Sequence, residues 1–174
     1  FGACAGIEVT ASHNPINYNG IKIVKSRSRP LDDAVDFQAI KRLAETEAWT
    51  PPKSRGAILD RADDARSAYV NCALSFVDQS ALHPLKIVVN SGSGAAGPTF
   101  DAIAKKLADQ NVPLKFVRVH HEPDNKFPHG IPNPLLPQNH AATAEVVREV
   151  GANFGVAFDG DFDRCFFFDE FGAF

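Results

Sequence analysis

Strands alternating with helices predict an α/β fold for this chain, and three observations carry that prediction. Short apolar runs recur at residues 6–11, 20–25, 85–90, 114–120, 154–158 and 165–168. Helix-period segments separate most of them, with glycine or proline at the joins. The residues able to do chemistry fall just after strands, where ligands gather in sheets of this class.

Taken in order, the run over 6–11 reads as a strand feeding a turn, and 20–25 alternates as a second strand. Asn14-Pro15 and Asn19-Gly20 mark turns between them. Pro30 and then Asp32-Asp33 open a helix to about Glu47, with acidic residues well placed against the helix dipole. Thr50-Pro51-Pro52 ends it, and Trp49 beside the proline pair is expected to pack. A second helix runs over about 62–77, with Ala65, Tyr69, Cys72, Ala73 and Phe76 on one face. It is expected to bridge two domains, 1–60 and 61–174.

A different rhythm follows. Residues 85–90 form a strand, 92–97 a glycine loop, and 98–110 a helix with Phe100, Ile103, Ala104 and Leu107 on its buried side. The strand over 114–120 leads into a proline-rich loop, 122–137. A helix over about 139–150 closes with Gly151 at its C-cap. Strands 154–158 and 165–168 then flank an acidic loop.

Composition narrows the classes. The 174 residues suffice for one large domain or pieces of two, and 44% hydrophobic with 22% charged is ordinary for a globular protein. Net charge is −3 with no basic run, which argues against a nucleic-acid partner. No stretch approaches a membrane span and no signal peptide opens the chain, so a cytoplasmic protein without a membrane partner is expected. Cys4, Cys72 and Cys165 are odd in number and share no metal-ligand spacing, which fits reduced thiols. There is no methionine, and neither end looks like a natural cap or tail. An internal piece of a longer protein is the expectation.

The most informative run is Asp159-Gly160-Asp161-Phe162-Asp163-Arg164. Three carboxylates on alternate positions repel one another unless a cation sits among them. Oxygen-only ligands favour a hard divalent ion, with Mg²⁺ the first candidate. A calcium EF-hand matches Asp159, Asp161, Asp163 and Glu170 at its positions 1, 3, 5 and 12. However, Arg164 stands where that loop needs glycine, and the flanks are strand-like. The run Thr10-Ala11-Ser12-His13-Asn14-Pro15 places a hydroxyl in a turn after a strand. Alone, Ser12 would be an ordinary turn residue, and Lys22 the exposed position of an alternating strand. No strand-to-helix elbow supports a Ser-His-Asp hydrolase. Gly92-Ser93-Gly94-Ala95-Ala96-Gly97 is a literal G-x-G-x-x-G between a strand and a helix, with Glu122 near the end of the next strand. It carries an alternative reading, a dinucleotide-binding oxidoreductase, beside the simpler one of close helix–strand packing. His120, His121 and His129 show no zinc spacing and read as loop and strand-end residues.

The serine turn, Asn19-Gly20 with Lys22, and the aspartate loop together resemble the α-D-phosphohexomutase family. Within it they are most similar to the bacterial phosphomannomutases, a branch that Asn90-Ser91 and the glycine loop support. The resemblance covers essentially the whole chain. Asn125 stands where members often have glycine, and asparagine tolerates the left-handed region such a turn uses. The resemblance implies mixed-sheet, helix-covered domains: the end of domain 1, with the serine loop, and most of domain 2, with the metal loop, of a four-domain enzyme. It implies that Ser12 carries the transferred phosphoryl group, and that Asp159, Asp161 and Asp163 hold Mg²⁺ together with an oxygen on Ser12. It further implies that Lys22 acts as acid or base toward the sugar hydroxyl, that Arg164 steadies charge, and that His13 and Asn14 shape the loop. The implied reaction interconverts hexose 1-phosphate and hexose 6-phosphate, mannose favoured and glucose the other candidate, with hexose 1,6-bisphosphate as intermediate and activator. Domains 3 and 4, which choose the sugar in the family, are not in this sequence, so the isolated chain is expected to be inactive.

Overall fold

In a computed structural model, residues 2–174 are described, and they divide into two compact units. Residues 2–10 with Asn19–Asp60 form one; Ala11–Tyr18 with Arg61–Phe174 form the other. In the first unit, strand β1 (Ala5–Val9) pairs antiparallel with β2 (Ile21–Lys25), which pairs with the short β3 (Arg29–Pro30). The register sets Ile7 opposite Ile23 and Glu8 opposite Lys22, a like-with-like apolar pair beside an opposite-charge pair. Asp32 then caps a π-helical turn, Asp33–Phe37, by accepting from the Val35 N–H at 2.9 Å, and α1 (Gln38–Thr46) follows. No described residue of this unit is buried. Trp49 is 57% exposed, contrary to expectation, because residues 48–60 form no helix or strand that could cover it.

The second unit is built on a four-stranded sheet in the order β5-β4-β6-β7. β4 (Leu85–Asn90) is central, parallel to both β5 (Leu114–Val119) and β6 (Phe154–Phe158), and β7 (Cys165–Phe168) closes the edge antiparallel. The sheet is therefore mixed. Successive β4 residues serve opposite faces, as the period of two requires. Ile87 and Val89 join Val156 in a cluster with Phe100 and Ala104 of α3 (Ala96–Asp109). Val88 joins Val147 of α4 (Ala141–Val150) and Ala152 on the other face. Helices on both faces explain why Ile87, Val88 and Val89 of β4 are apolar in succession rather than alternating with polar residues.

Helix α2 (Ala62–Ser75) packs on α3 through Val70, Leu74 and Leu107. The expected face was the neighbouring stripe, yet Tyr69 is 51% and Phe76 83% exposed. The helix carries apolar residues on both stripes, and contact with Leu107 and Ile103 selects the one containing Val70 and Leu74. Helix α3 starts at Ala96, inside the glycine loop, with Pro98 in its first turn where a missing N–H costs nothing. Gly151 ends α4 in the left-handed conformation, φ 57°, as expected of a C-cap. In the turn over 123–128 the left-handed residue is Phe127, φ 46°, rather than Asn125. Asp124 organises that turn, its carboxylate accepting from the Lys126 N–H at 2.8 Å and its carbonyl from the Phe127 N–H at 3.0 Å. No helix among the described residues is long and apolar enough to cross a membrane.

Candidate active site

The chain leaves β1 into a tight turn. The Ala11 carbonyl accepts from the Asn14 backbone at 2.9 Å and from its side-chain amide at 2.8 Å, so Asn14 closes the loop around Ser12. Ser12 itself has φ 52°, a left-handed conformation costing a non-glycine residue about 1–2 kcal/mol. Such outliers gather where the surroundings need a particular aim for a side chain.

The aspartate loop joins β6 to β7. Asp159 is fully buried, and its Oδ1 accepts from the Arg164 N–H at 3.1 Å, which ties the two ends of the loop together. Phe162 also sits at positive φ, 67°. Its ring lies edge-on to Phe158 at 4.7 Å and to Tyr69 at 6.4 Å, packing that holds the strained residue in place. Asp161 and Asp163, on either side of Phe162, are thereby set.

The two loops meet at Ser12. Its Oγ lies 3.2 Å from Asp159 Oδ2 and 3.1 Å from Asp161 Oδ1, and accepts from Arg164 Nη2 at 2.8 Å. A hydroxyl has one proton, so it serves one carboxylate at a time. Arg164 also pairs with Asp159, reaches Asp163 at 3.2 Å, and lies 2.5 Å from His13 Nδ1. Because a guanidinium only donates, that contact makes His13 Nδ1 the acceptor. Burial pushes the Asp159 carboxyl above the usual carboxylate range, against the pull of its bonds to Arg164. Burial likewise works against the Arg164 charge, but its bonds to Asp159 and Asp163 outweigh that and raise its pKa. The backbones are close as well: a Cβ on Gly160 would stand 2.5 Å from the Ser12 carbonyl oxygen, so only glycine fits.

One oxygen from each of Asp159, Asp161 and Asp163 lies within 4.8 Å of the others. An all-carboxylate donor set beside a serine hydroxyl fits a hard divalent cation such as Mg²⁺. The loop is a strand–turn–strand hairpin, which removes the helix–loop–helix context of a calcium EF-hand. The dinucleotide alternative fails in its own loop. The Gly92 N–H donates to Asn90 Oδ1, and those of Ser93, Gly94 and Ala95 donate to the carbonyls of His120, Ser91 and Gly160. Amides already bonded to protein are not free to cradle a pyrophosphate. Lys22 lies on β2 in the first unit, exposed and opposite Glu8. His120 and His129 stack face to face at 3.7 Å, and His121 bonds Asp101 at 2.9 Å.

Reading the sequence missed Phe162 and Gly160 as supports of this arrangement. A phenylalanine gives no sign in sequence of a positive φ. Gly160 shows only as a small residue between two acids, and its close neighbour is some 150 positions away in the chain.

Comparison with known proteins gives a family. Residues 67–172 match the model for phosphoglucomutase/phosphomannomutase, alpha/beta/alpha domain II, and residues 1–50 match that for domain I. A phosphomannomutase of Salmonella montevideo is 47% identical over 173 residues, 99% of this chain and 38% of its own length. Proteins named phosphohexose mutases, from Xanthomonas campestris pv. campestris, are 49% identical over 172 residues, 99% of this chain and 37% of theirs. A crystal structure of a phosphoglucomutase/phosphomannomutase family protein from Burkholderia thailandensis superposes with a TM-score of 0.77 at 30% identity, over 97% of this chain and 34% of that one. The chain thus spans about 38% of the length of the curated relatives it matches. With more than half of its residues matched by the domain II model, the chain belongs to the phosphoglucomutase/phosphomannomutase family.

Proposed function

We propose that this chain carries the phosphoryl-transfer centre of a phosphohexomutase, an intramolecular phosphotransferase in which Ser12 alternately gives and takes the phosphoryl group. The observation that carries the reading is the meeting of the Ser12 hydroxyl with two carboxylates and a guanidinium from a loop about 150 residues away. Phosphoserine brings a charge of about −1.5 to −2 at neutral pH, which beside three aspartates demands a cation. Asp159, Asp161 and Asp163 would hold Mg²⁺, which when bound neutralises charge on the transferring group and favours in-line displacement.

The residues of the chain then divide the work. A sugar hydroxyl attacks phosphorus, the bond from phosphorus to Ser12 Oγ breaks, and the hydroxyl's proton leaves through Lys22. Arg164, 2.8 Å from Ser12 Oγ, stabilises the departing serine oxygen. His13 and Asn14 hold the loop, Asn14 by its two bonds to the Ala11 carbonyl. The resulting hexose 1,6-bisphosphate turns over and returns its other phosphate to Ser12, so hexose 1-phosphate and hexose 6-phosphate interconvert and added bisphosphate activates. Mannose is the favoured sugar, in keeping with relatives named phosphomannomutase, and glucose is the other candidate. The chain matches about 38% of those relatives, and we assign sugar selection to the parts it does not match. The 174 residues alone would not turn over, and the setting would be cytoplasmic, where phosphosugars are metabolised.

The test is conversion of mannose 1-phosphate to mannose 6-phosphate by the full-length protein with Mg²⁺ and a hexose 1,6-bisphosphate. Ser12→Ala should cut kcat by about 10³-fold or more. Wild-type turnover in that variant would remove Ser12 from the mechanism.

A further inference from the structure

We propose that Gly94 is a positioning residue for phosphoryl transfer: its lack of a side chain lets the glycine loop seat the aspartate loop at the height where Ser12 meets it. The proposal rests on the phosphohexomutase reading above and extends it to a loop that reading leaves without a role. Three backbones lie in series. Gly160 packs under the Ser12 carbonyl, and Gly94 packs under Gly160. A Cβ on Gly94 would stand 2.6 Å from the Gly160 carbonyl oxygen and 3.0 Å from its Cα. The next residue, Ala95, donates its N–H to that same carbonyl at 3.0 Å. Contact and hydrogen bond therefore act on one peptide, and that peptide lies between Asp159 and Asp161.

The glycine loop is the fixed partner in this stack. Ser91 and Ser93 donate to the carbonyls of Val119 and His120 at 3.0 and 2.7 Å, and the Ser93 carbonyl accepts from Asp124 at 2.9 Å. Ser91 is fully buried. Behind it, Asp101 of α3 accepts from Arg118 at 2.9 Å and from His121 at 2.9 Å, which ties the end of β5 to the helix that the loop begins. With so many bonds below, an added atom at Gly94 moves the aspartate loop rather than the platform. Restoring ordinary contact at 3.4 Å displaces the Gly160 peptide by roughly 0.8 Å. A misplacement of about 1 Å costs on the order of 10²-fold in rate.

Two variants of the full-length protein test this by different routes. Gly94→Ala adds the colliding carbon. Ala95→Pro replaces the N–H that bonds Gly160 with a ring carbon facing the same carbonyl, so it removes the hydrogen bond and presses on that peptide, at a residue whose φ of −75° already suits proline. In each, kcat for phosphosugar conversion should fall about 10²-fold while KM stays within about 2-fold, since the distortion lies at the reacting centre. Mn²⁺, bound in place of Mg²⁺, should give an altered electron paramagnetic resonance spectrum, and thermal melting should stay cooperative. An unchanged kcat and Mn²⁺ spectrum in either folded variant overturns the proposal. So does loss of cooperative melting in both, which would make the role one of folding alone. If the wild type neither turns over phosphosugar nor binds Mn²⁺, the phosphohexomutase reading fails and takes the proposal with it. If the wild type does both and the variants match it, only the positioning role fails.

Discussion

Residues 2–10 and 19–60 make three strands and a helix without burying one described side chain, whereas the second unit buries Val88, Val89, Val147 and Phe168 to 1% exposure or less. The first unit is held by ladder hydrogen bonds and cross-strand pairs such as Glu8 with Lys22. The second is held by a close-packed core on both faces of its sheet. The difference bears on chemistry. Ser12 and the aspartate loop cluster with the packed unit, although Ser12 lies in the connection between two strands of the other. If Ser12 is the nucleophile we propose, its need to meet its partners within a fraction of an ångström is best met on the more rigid support.

The sharpest way to break this comparison is to separate chemistry from packing inside the second unit. Asp161→Asn in the full-length protein removes a candidate ligand that is not part of the core. We expect turnover to drop about 10²-fold or more and the Mg²⁺ requirement to rise, with the melting temperature nearly unchanged. An unaltered Mg²⁺ dependence would count against the assignment.

Packing comes next. In the 174-residue chain, Val147→Ala opens a cavity at a fully buried site and should cost about 2 kcal/mol in urea unfolding. Ile7→Ala, at a position 69% exposed, should stay within about 0.5 kcal/mol. Equal losses would erase the distinction between the units.

The smallest effect expected is a pH dependence confined to the second unit. Burial, and then the neighbouring His129, hold the His120 pKa below its ordinary 6.5. The unfolded chain therefore takes up a proton at a higher pH than the folded one. This contribution to stability is complete above about pH 6.5 and declines as pH falls through that value toward the lower folded pKa. Unfolding free energies measured from about pH 7.5 down to about pH 5.5 should fall, and His120→Asn should flatten the slope. A variant as steep as the parent would place the effect elsewhere.

Much of this was legible in the residues themselves. Period-two runs, turn pairs such as Asn19-Gly20, and Gly151 after a helical stretch are local signals, and the strands and helices follow them closely. The aspartate loop stands out because three alternate carboxylates are costly without a cation, whereas the serine turn gains meaning only in combination with it. Other features depend on what touches what. Which stripe of α2 is buried is decided by Leu107, and whether Trp49 packs is decided by neighbours the local sequence does not name. The G-x-G-x-x-G run is ambiguous in sequence because glycine suits both a phosphate cradle and close backbone packing. Only the partners of its N–H groups tell the two apart.

The central claim is that Ser12 is the phosphoryl carrier served by the aspartate loop, and mapping the phosphate tests it most directly. The full-length protein would be treated with hexose 1,6-bisphosphate and Mg²⁺, digested, and sequenced by tandem mass spectrometry. A single phosphate on Ser12, absent when Mg²⁺ is chelated and lost to added hexose phosphate, is the predicted result. Phosphate on another residue, or steady turnover with Ser12 never phosphorylated, would contradict the account.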